Sequence, residues 1–172
     1  MTSTRTTHDL RPAQHCAVPL IVAVMTTAAW AQGGDPDWRK YSDRSGTRVD
    51  YPAALFSETR APADNGVTLA RPDGTAHLRI FTVANARGHT PRSFLRREFP
   101  FERSTLSYDR VARDFFAVSA RRKGRIVYTR CNFAEHIHCI ELTYPASEKH
   151  AFDSVTTRVS LSLRPRGVTG RV

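Results

Sequence analysis

The stretch Arg125–Pro145, RIVYTRCNFAEHIHCIELTYP, decides the fold. Two runs rich in β-branched and aromatic residues flank Ala134-Glu135-His136, so the stretch reads as a β-hairpin. Centring the turn on Glu135 sets Cys131 opposite Cys139, Tyr128 opposite Leu142 and Ile126 opposite Tyr144. Directly opposed residues have Cα atoms about 4.5–5.5 Å apart, within the span of a disulfide. A Cys131–Cys139 disulfide is therefore expected. Two thiols and the histidines His136 and His138 also invite a zinc reading. His138, however, adjoins Cys139 and must point to the other face of its strand. Only His136 could join the two sulfurs, and no metal site is expected.

Working outward, Val111–Arg121 reads as a strand rich in Phe115, Phe116 and Val118, turned by Arg122-Lys123-Gly124 into Arg125–Phe133. Beyond Pro145, Ser147 is expected to cap a helix whose apolar residues Phe152, Val155 and Val159 recur at helical spacing. Upstream, Thr90 suits an N-cap and Pro91 the first helical position. Phe94, Leu95 and Phe99 mark the buried side of that helix, and Pro100 ends it. Before it, Val67–Ala70 and Ala76–Val83 flank the turn Arg71-Pro72-Asp73-Gly74-Thr75 and predict another hairpin. Ala76, Leu78 and Ile80 face one way, His77, Arg79 and Phe81 the other. Gly46–Pro52 is a short strand with Val49 and Tyr51 on one face, after which Leu55 and Phe56 turn back to the core. Polar residues 57–66 read as a surface loop. The order is β-β-β-α-β-β-β-α: an α+β domain with an antiparallel sheet of about six strands and two helices. The domain spans 46–164, with a flexible lead-in at 32–45, anchored only by Trp38, and a tail at 165–172.

Residues 1–31 read as a secretory signal peptide. Arg5 and Arg11 supply the positive start, and Cys16–Ala31 carries no charge and includes the apolar run Ala17–Met25. Ala29-Trp30-Ala31 gives the small–x–small cleavage pattern. The apolar run is shorter than the roughly 20 residues a membrane-spanning helix needs and contains Pro19. Cys16 precedes the apolar run, which does not fit a lipid-accepting cysteine. Cleavage after Ala31 leaves Cys131 and Cys139 in a compartment where disulfides form, periplasmic or secreted.

The 172-residue chain carries a formal charge of +10. Removing residues 1–31 leaves 24 basic and 15 acidic residues, or +9, so the basic character belongs to the remaining chain. Such a balance favours anionic partners: an anionic envelope polymer, a lipid headgroup or an acidic protein. Export and the lack of an aromatic-interleaved RNA motif point away from nucleic acid. The candidate anion-binding residues are Arg92 and Arg96 on the first helix and Arg121, Arg122, Lys123 and Arg125 at a hairpin turn, since guanidinium forks suit carboxylate and phosphate. Only Lys40, Lys123 and Lys149 are lysines, and a GC-rich coding sequence yields the same skew without selection for binding.

No nucleophile elbow, H-E-x-x-H or phosphate-binding glycine loop occurs, Ser119 has no recognisable base beside it, and no catalytic residue or cofactor is assigned. Asp50 and Glu141 could approach each other only if the sheet brings them together. An alternative reading is a small envelope enzyme with His77 or His89 as general base. Val49-Asp50-Tyr51-Pro52 before Leu55-Phe56, the Asp73-Gly74 hairpin, Asp114–Ser119, Tyr128–Cys131 and Tyr144-Pro145 before a last helix resemble small exported bacterial proteins of unknown function with a PsbP/Mog-type α/β/α sandwich. The likeness covers roughly residues 44–163. It implies a non-enzymatic binding or accessory role by fold analogy and carries over no site residue.

Overall fold

The structure, a computed structural model, describes residues 37–63 and 66–165. The expected signal peptide and most of the expected tail lie outside the described residues. Strands β1 (Trp38–Ser42), β2 (Thr47–Pro52), β3 (Glu58–Ala63), β4 (Gly66–Ala70) and β5 (His77–Ala84) lead to helix α1 (Pro91–Glu98). Then come β6 (Leu106–Val111), β7 (Phe115–Arg122), β8 (Arg125–Phe133), β9 (His136–Pro145), helix α2 (Lys149–Ser162) and the short β10 (Arg164–Pro165). Seven strands form an antiparallel sheet in the order β3-β4-β5-β9-β8-β7-β6, and β1-β2-β10 form a second sheet. The α+β class with two helices and antiparallel pairing is the one the sequence predicts.

The β8–β9 hairpin has the register expected from a turn at Glu135. Cys131 pairs with Cys139, Tyr128 with Leu142 and Ile126 with Tyr144. Alternation along these strands separates two apolar cores. On one face, Leu78, Ile80, Ile126, Ile140, Leu142 and Tyr144 pack with Phe152 and Val159 of α2 and with Val49 and Phe56 from the β2 region. On the other, Phe81, Phe116, Ile137 and the cysteine pair pack against Phe94 of α1. Phe116, Ile137, Ile140 and Leu142 have no exposed surface; each such side chain contributes about 1.5–3 kcal/mol by leaving water. The domain thus has the layers of an α/β/α sandwich, with the small sheet beside α2.

The first helix begins as its residues dictate. Ser93 N–H donates to Thr90 Oγ1 at 3.2 Å, Thr90 N–H donates to Ser93 Oγ at 3.0 Å, and Pro91 fills the first helical position. Helix α2 starts differently from expectation. Ser147 lies in a tight 3₁₀ turn, Ala146–Glu148, that runs into the helix, and no side chain caps it. Val111–Arg121 is not one strand. Ala112–Asp114 turn the chain, with Ala112 N–H bonded to Phe115 O at 2.8 Å, so β6 folds back on β7.

Two segments expected to be irregular contain strands. Residues 38–42 of the lead-in pair with β2, Trp38 opposite Pro52, while Trp38 and Tyr41 pack against the core. Residues 58–63 pair with β4 as an edge strand with a register shift between Thr59 and Ala61. An edge position accommodates Pro62, whose missing N–H would interrupt an interior strand.

Candidate functional site

The β7–β8 turn is built by Lys123 and Gly124, which have φ values of 47° and 74°. Two consecutive left-handed residues match the twist of a two-residue hairpin, and glycine adopts that conformation without steric cost. The turn is anchored twice. Ala146 N–H donates to Gly124 O at 2.9 Å, and Arg125 Nη2 donates to Thr75 O at 2.7 Å, tying β8 to the β4–β5 turn. Arg121, Arg122 and Lys123 stand exposed on this held backbone. Arg121 and Arg122 are sequence neighbours on a strand and project to opposite faces, so the cations surround the tip rather than line one side. A large anion could be gripped by such a tip; a small one would meet one side of it.

Arg122 shares its face with Glu141 and Arg79. Arg79 pairs in register with Glu141, which pairs with Thr129. Burial holds the Glu141 carboxyl above the ordinary carboxylate range, against the opposing pull of Arg79 and Arg122. Thr129 Oγ1 beside it is buried with no hydrogen-bond partner among the described residues. Asp50 does not meet Glu141. It lies on β2, bonded through its N–H to Ser162 Oγ at 2.8 Å, whereas Glu141 projects from the sheet face turned away from β2.

The remaining candidate cations sit elsewhere. Arg92 and Arg96 are exposed on α1, and Arg97 pairs with Glu98 at 3.1 Å. Phe99, at the end of α1, packs on Phe116 near the start of β7. Six residues of strand separate Phe116 from Arg122, about 20 Å at roughly 3.3 Å per residue. The two arginine clusters therefore occupy opposite ends of the strands and form no single patch.

The two candidate bases sit apart, His89 in the loop before α1 and His77 on β5. His89 N–H donates to Asn85 Oδ1 at 2.7 Å, and its Nδ1 lies 3.4 Å from Ser93 Oγ. These bonds fix the loop that enters α1. His77 lies half-buried on β5, at the start of its pairing with β9, opposite Thr143. The Cys131 and Cys139 sulfurs are 2.02 Å apart, disulfide distance, with Cα atoms at 4.1 Å. His138 points to the other face, as expected. Among the described residues no group of three or more His, Cys, Asp or Glu side chains could hold a metal ion.

Two polar networks extend beyond what the sequence reading assigned. Arg71 is 7% exposed and donates to Glu148 at 2.6 and 3.0 Å, to Asp73 at 2.9 Å and to Thr75 Oγ1. The bond to Glu148, chief among these, raises the Arg71 pKa further. The separate bond that Asp73 accepts from Arg71 Nε, with those from Thr75 N–H and its hydroxyl, lowers Asp73 to about 2. The second network is buried. Thr47 Oγ1 lies 2.5 Å from Thr82 Oγ1 and 2.8 Å from His138 Nδ1, and Thr82 donates to Asp43 at 3.2 Å. Burial lowers the His138 pKa, with Asp43 opposing, so the neutral ring is favoured there. Arg71-x-Asp73 in a turn is a readable signal for the first network. Nothing local signals Glu148, or Thr47 as the partner of His138.

No protein-family profile and no curated protein matches the chain by sequence. Among solved structures it is similar to cyanobacterial PsbP (CyanoP) from Synechocystis, with a TM-score of 0.54 and 13% identity over 77% of this chain and 94% of that one. A structure from Bacteroides thetaiotaomicron aligns at a TM-score of 0.48 and 14% identity, over 78% of this chain and 50% of that one. The chain has a PsbP-like fold.

Proposed function

We propose that this chain is an exported, non-enzymatic accessory domain that meets an anionic envelope component or an acidic protein through its β7–β8 turn. The observation that carries the reading is the exposed Arg121-Arg122-Lys123 tip on a backbone anchored at Gly124 and Arg125. A preorganised cationic tip loses little freedom when an anion docks, and guanidinium forks reward carboxylate or phosphate with paired hydrogen bonds. The PsbP-like fold is consistent with an accessory role by analogy. The cysteine pair suits an oxidising compartment, and residues 1–31 supply the route to it. No described helix is long and apolar enough to cross a membrane.

The test is a thermal-shift panel of anions (polyphosphate, anionic phospholipid vesicles, acidic peptide) at low and high salt. Stabilisation by one class at low salt, abolished by Arg121→Ala/Arg122→Ala/Lys123→Ala, is the expected result and names the class. A flat response across the panel contradicts the proposal. Export is checked separately. Protein recovered from an exporting host should begin at Gln32 and contain no free thiol. A retained N-terminus or two free thiols contradicts that part.

A further inference from the structure

Between β5 and α1 lies a groove of about 390 Å³ that no part of the reading above uses. Its floor is apolar: Phe81, Val83, Phe94 and Phe99. Its rim carries two exposed guanidiniums, Arg79 and Arg87, together with His89 and one carboxylate, Glu98. Glu98 is engaged by Arg97 at 3.1 Å. Arg79 lies over the Phe81 ring at 4.2 Å and pairs in register with Glu141 across the strands. Arg87 has no ion pair among the described residues. Arg79 has no ion pair among the described residues either, so the groove joins an apolar bed to a cation at each end, and Arg87 is the one not laid over a ring.

The chain direction fixes which end is which. Helix α1 returns antiparallel to β5, so Arg87 and His89 stand together where β5 hands over to the helix, and Arg79 stands at the far end with Phe99. Ser93 lies beside His89 Nδ1 at 3.4 Å, which leaves Nε2 for a ligand. A polar anion alone would gain nothing from four apolar side chains, and a neutral apolar body would leave Arg87 unanswered. The size falls within the roughly 300–1,000 Å³ of small-molecule sites, which pair apolar walls with a few placed polar groups.

We infer that this groove binds a small amphiphilic carboxylate, its aryl or alkyl body on Phe81 and Phe99 and its carboxylate at Arg87 beside His89. The site is separate from the β7–β8 tip and stands or falls independently of it.

Calorimetric titration of the purified protein with 4-phenylbutyrate, 4-phenylbutanol and acetate tests the inference. Phenylbutyrate should bind saturably, at least about tenfold more tightly than phenylbutanol, since one charge-assisted hydrogen bond is at stake. Acetate should not bind. Arg87→Met should reduce the acid to the affinity of the alcohol and leave the alcohol unchanged. Ala86→Trp, at an exposed position lining the groove, should weaken both. Arg121→Ala/Arg122→Ala/Lys123→Ala should change none of these, which separates this site from the tip. Equal affinity for acid and alcohol, no saturable binding, or an unchanged Arg87→Met variant overturns the inference.

Discussion

Two basic turns lie side by side and use arginine in opposite ways. In the β4–β5 turn, Arg71 is 7% exposed and bonded to Glu148, Asp73 and Thr75. In the β7–β8 turn, Arg121, Arg122 and Lys123 are exposed over an anchored backbone. Arg125 joins the two turns by its bond to Thr75 O. The positive charge of the described residues is thus a mixture of cations engaged in the fold and cations left exposed. Counting charges cannot separate these; tracing what each guanidinium touches does.

The comparison predicts a ranked series of effects. Arg71→Met should be the most damaging. It strands Glu148 and Asp73, and because both keep some solvent the cost falls at or below the lower end of the usual range for a broken buried pair, about 2–3 kcal/mol, read from urea denaturation. A loss below the error of that measurement would mean Arg71 is no anchor. Arg125→Met removes one charged hydrogen bond to a carbonyl and should cost about 1 kcal/mol.

Acid sharpens the contrast between the turns. The folded pKa of Asp73, about 2, lies below its unfolded value near 3.9. Its stabilisation is therefore complete above about pH 4 and is lost as pH falls through about 2. Asp73→Asn should flatten that segment of the acid-denaturation curve; an unchanged curve would show that the Asp73–Arg71 bridge does not persist in solution. The smallest effect on stability belongs to the exposed tip. Arg121→Ala/Arg122→Ala/Lys123→Ala should shift unfolding by no more than about 0.5 kcal/mol, and a larger loss would mean the tip cations have folding partners after all.

The same contrast explains what could be read from the chain. The β8–β9 register, the Thr90 cap and the β4–β5 turn were legible because neighbours within about ten residues determine them. The alternation that separates Cys139 from His138 also followed from local geometry. Strands β1 and β3 were not legible, because as edge strands they carry polar residues and Pro62 without an alternating pattern. Ser147 carried a cap signal that the preceding 3₁₀ turn overrode. The partners of Arg71 and His138 lie 77 and 91 residues away, and only tertiary packing brings them in. The candidate anion site was legible as a cluster of residue types. That Arg125 serves as an anchor while its neighbours stay exposed was not.

The central claim is that the β7–β8 tip is a docking surface for anions. Titration with heparin, a generic polyanion, at low and high salt tests it most directly, on the wild-type protein and on Arg121→Ala/Arg122→Ala/Lys123→Ala. The account predicts saturable binding that weakens steeply with salt and disappears in the triple variant. Binding that survives the substitution, or no binding at low salt, would contradict it.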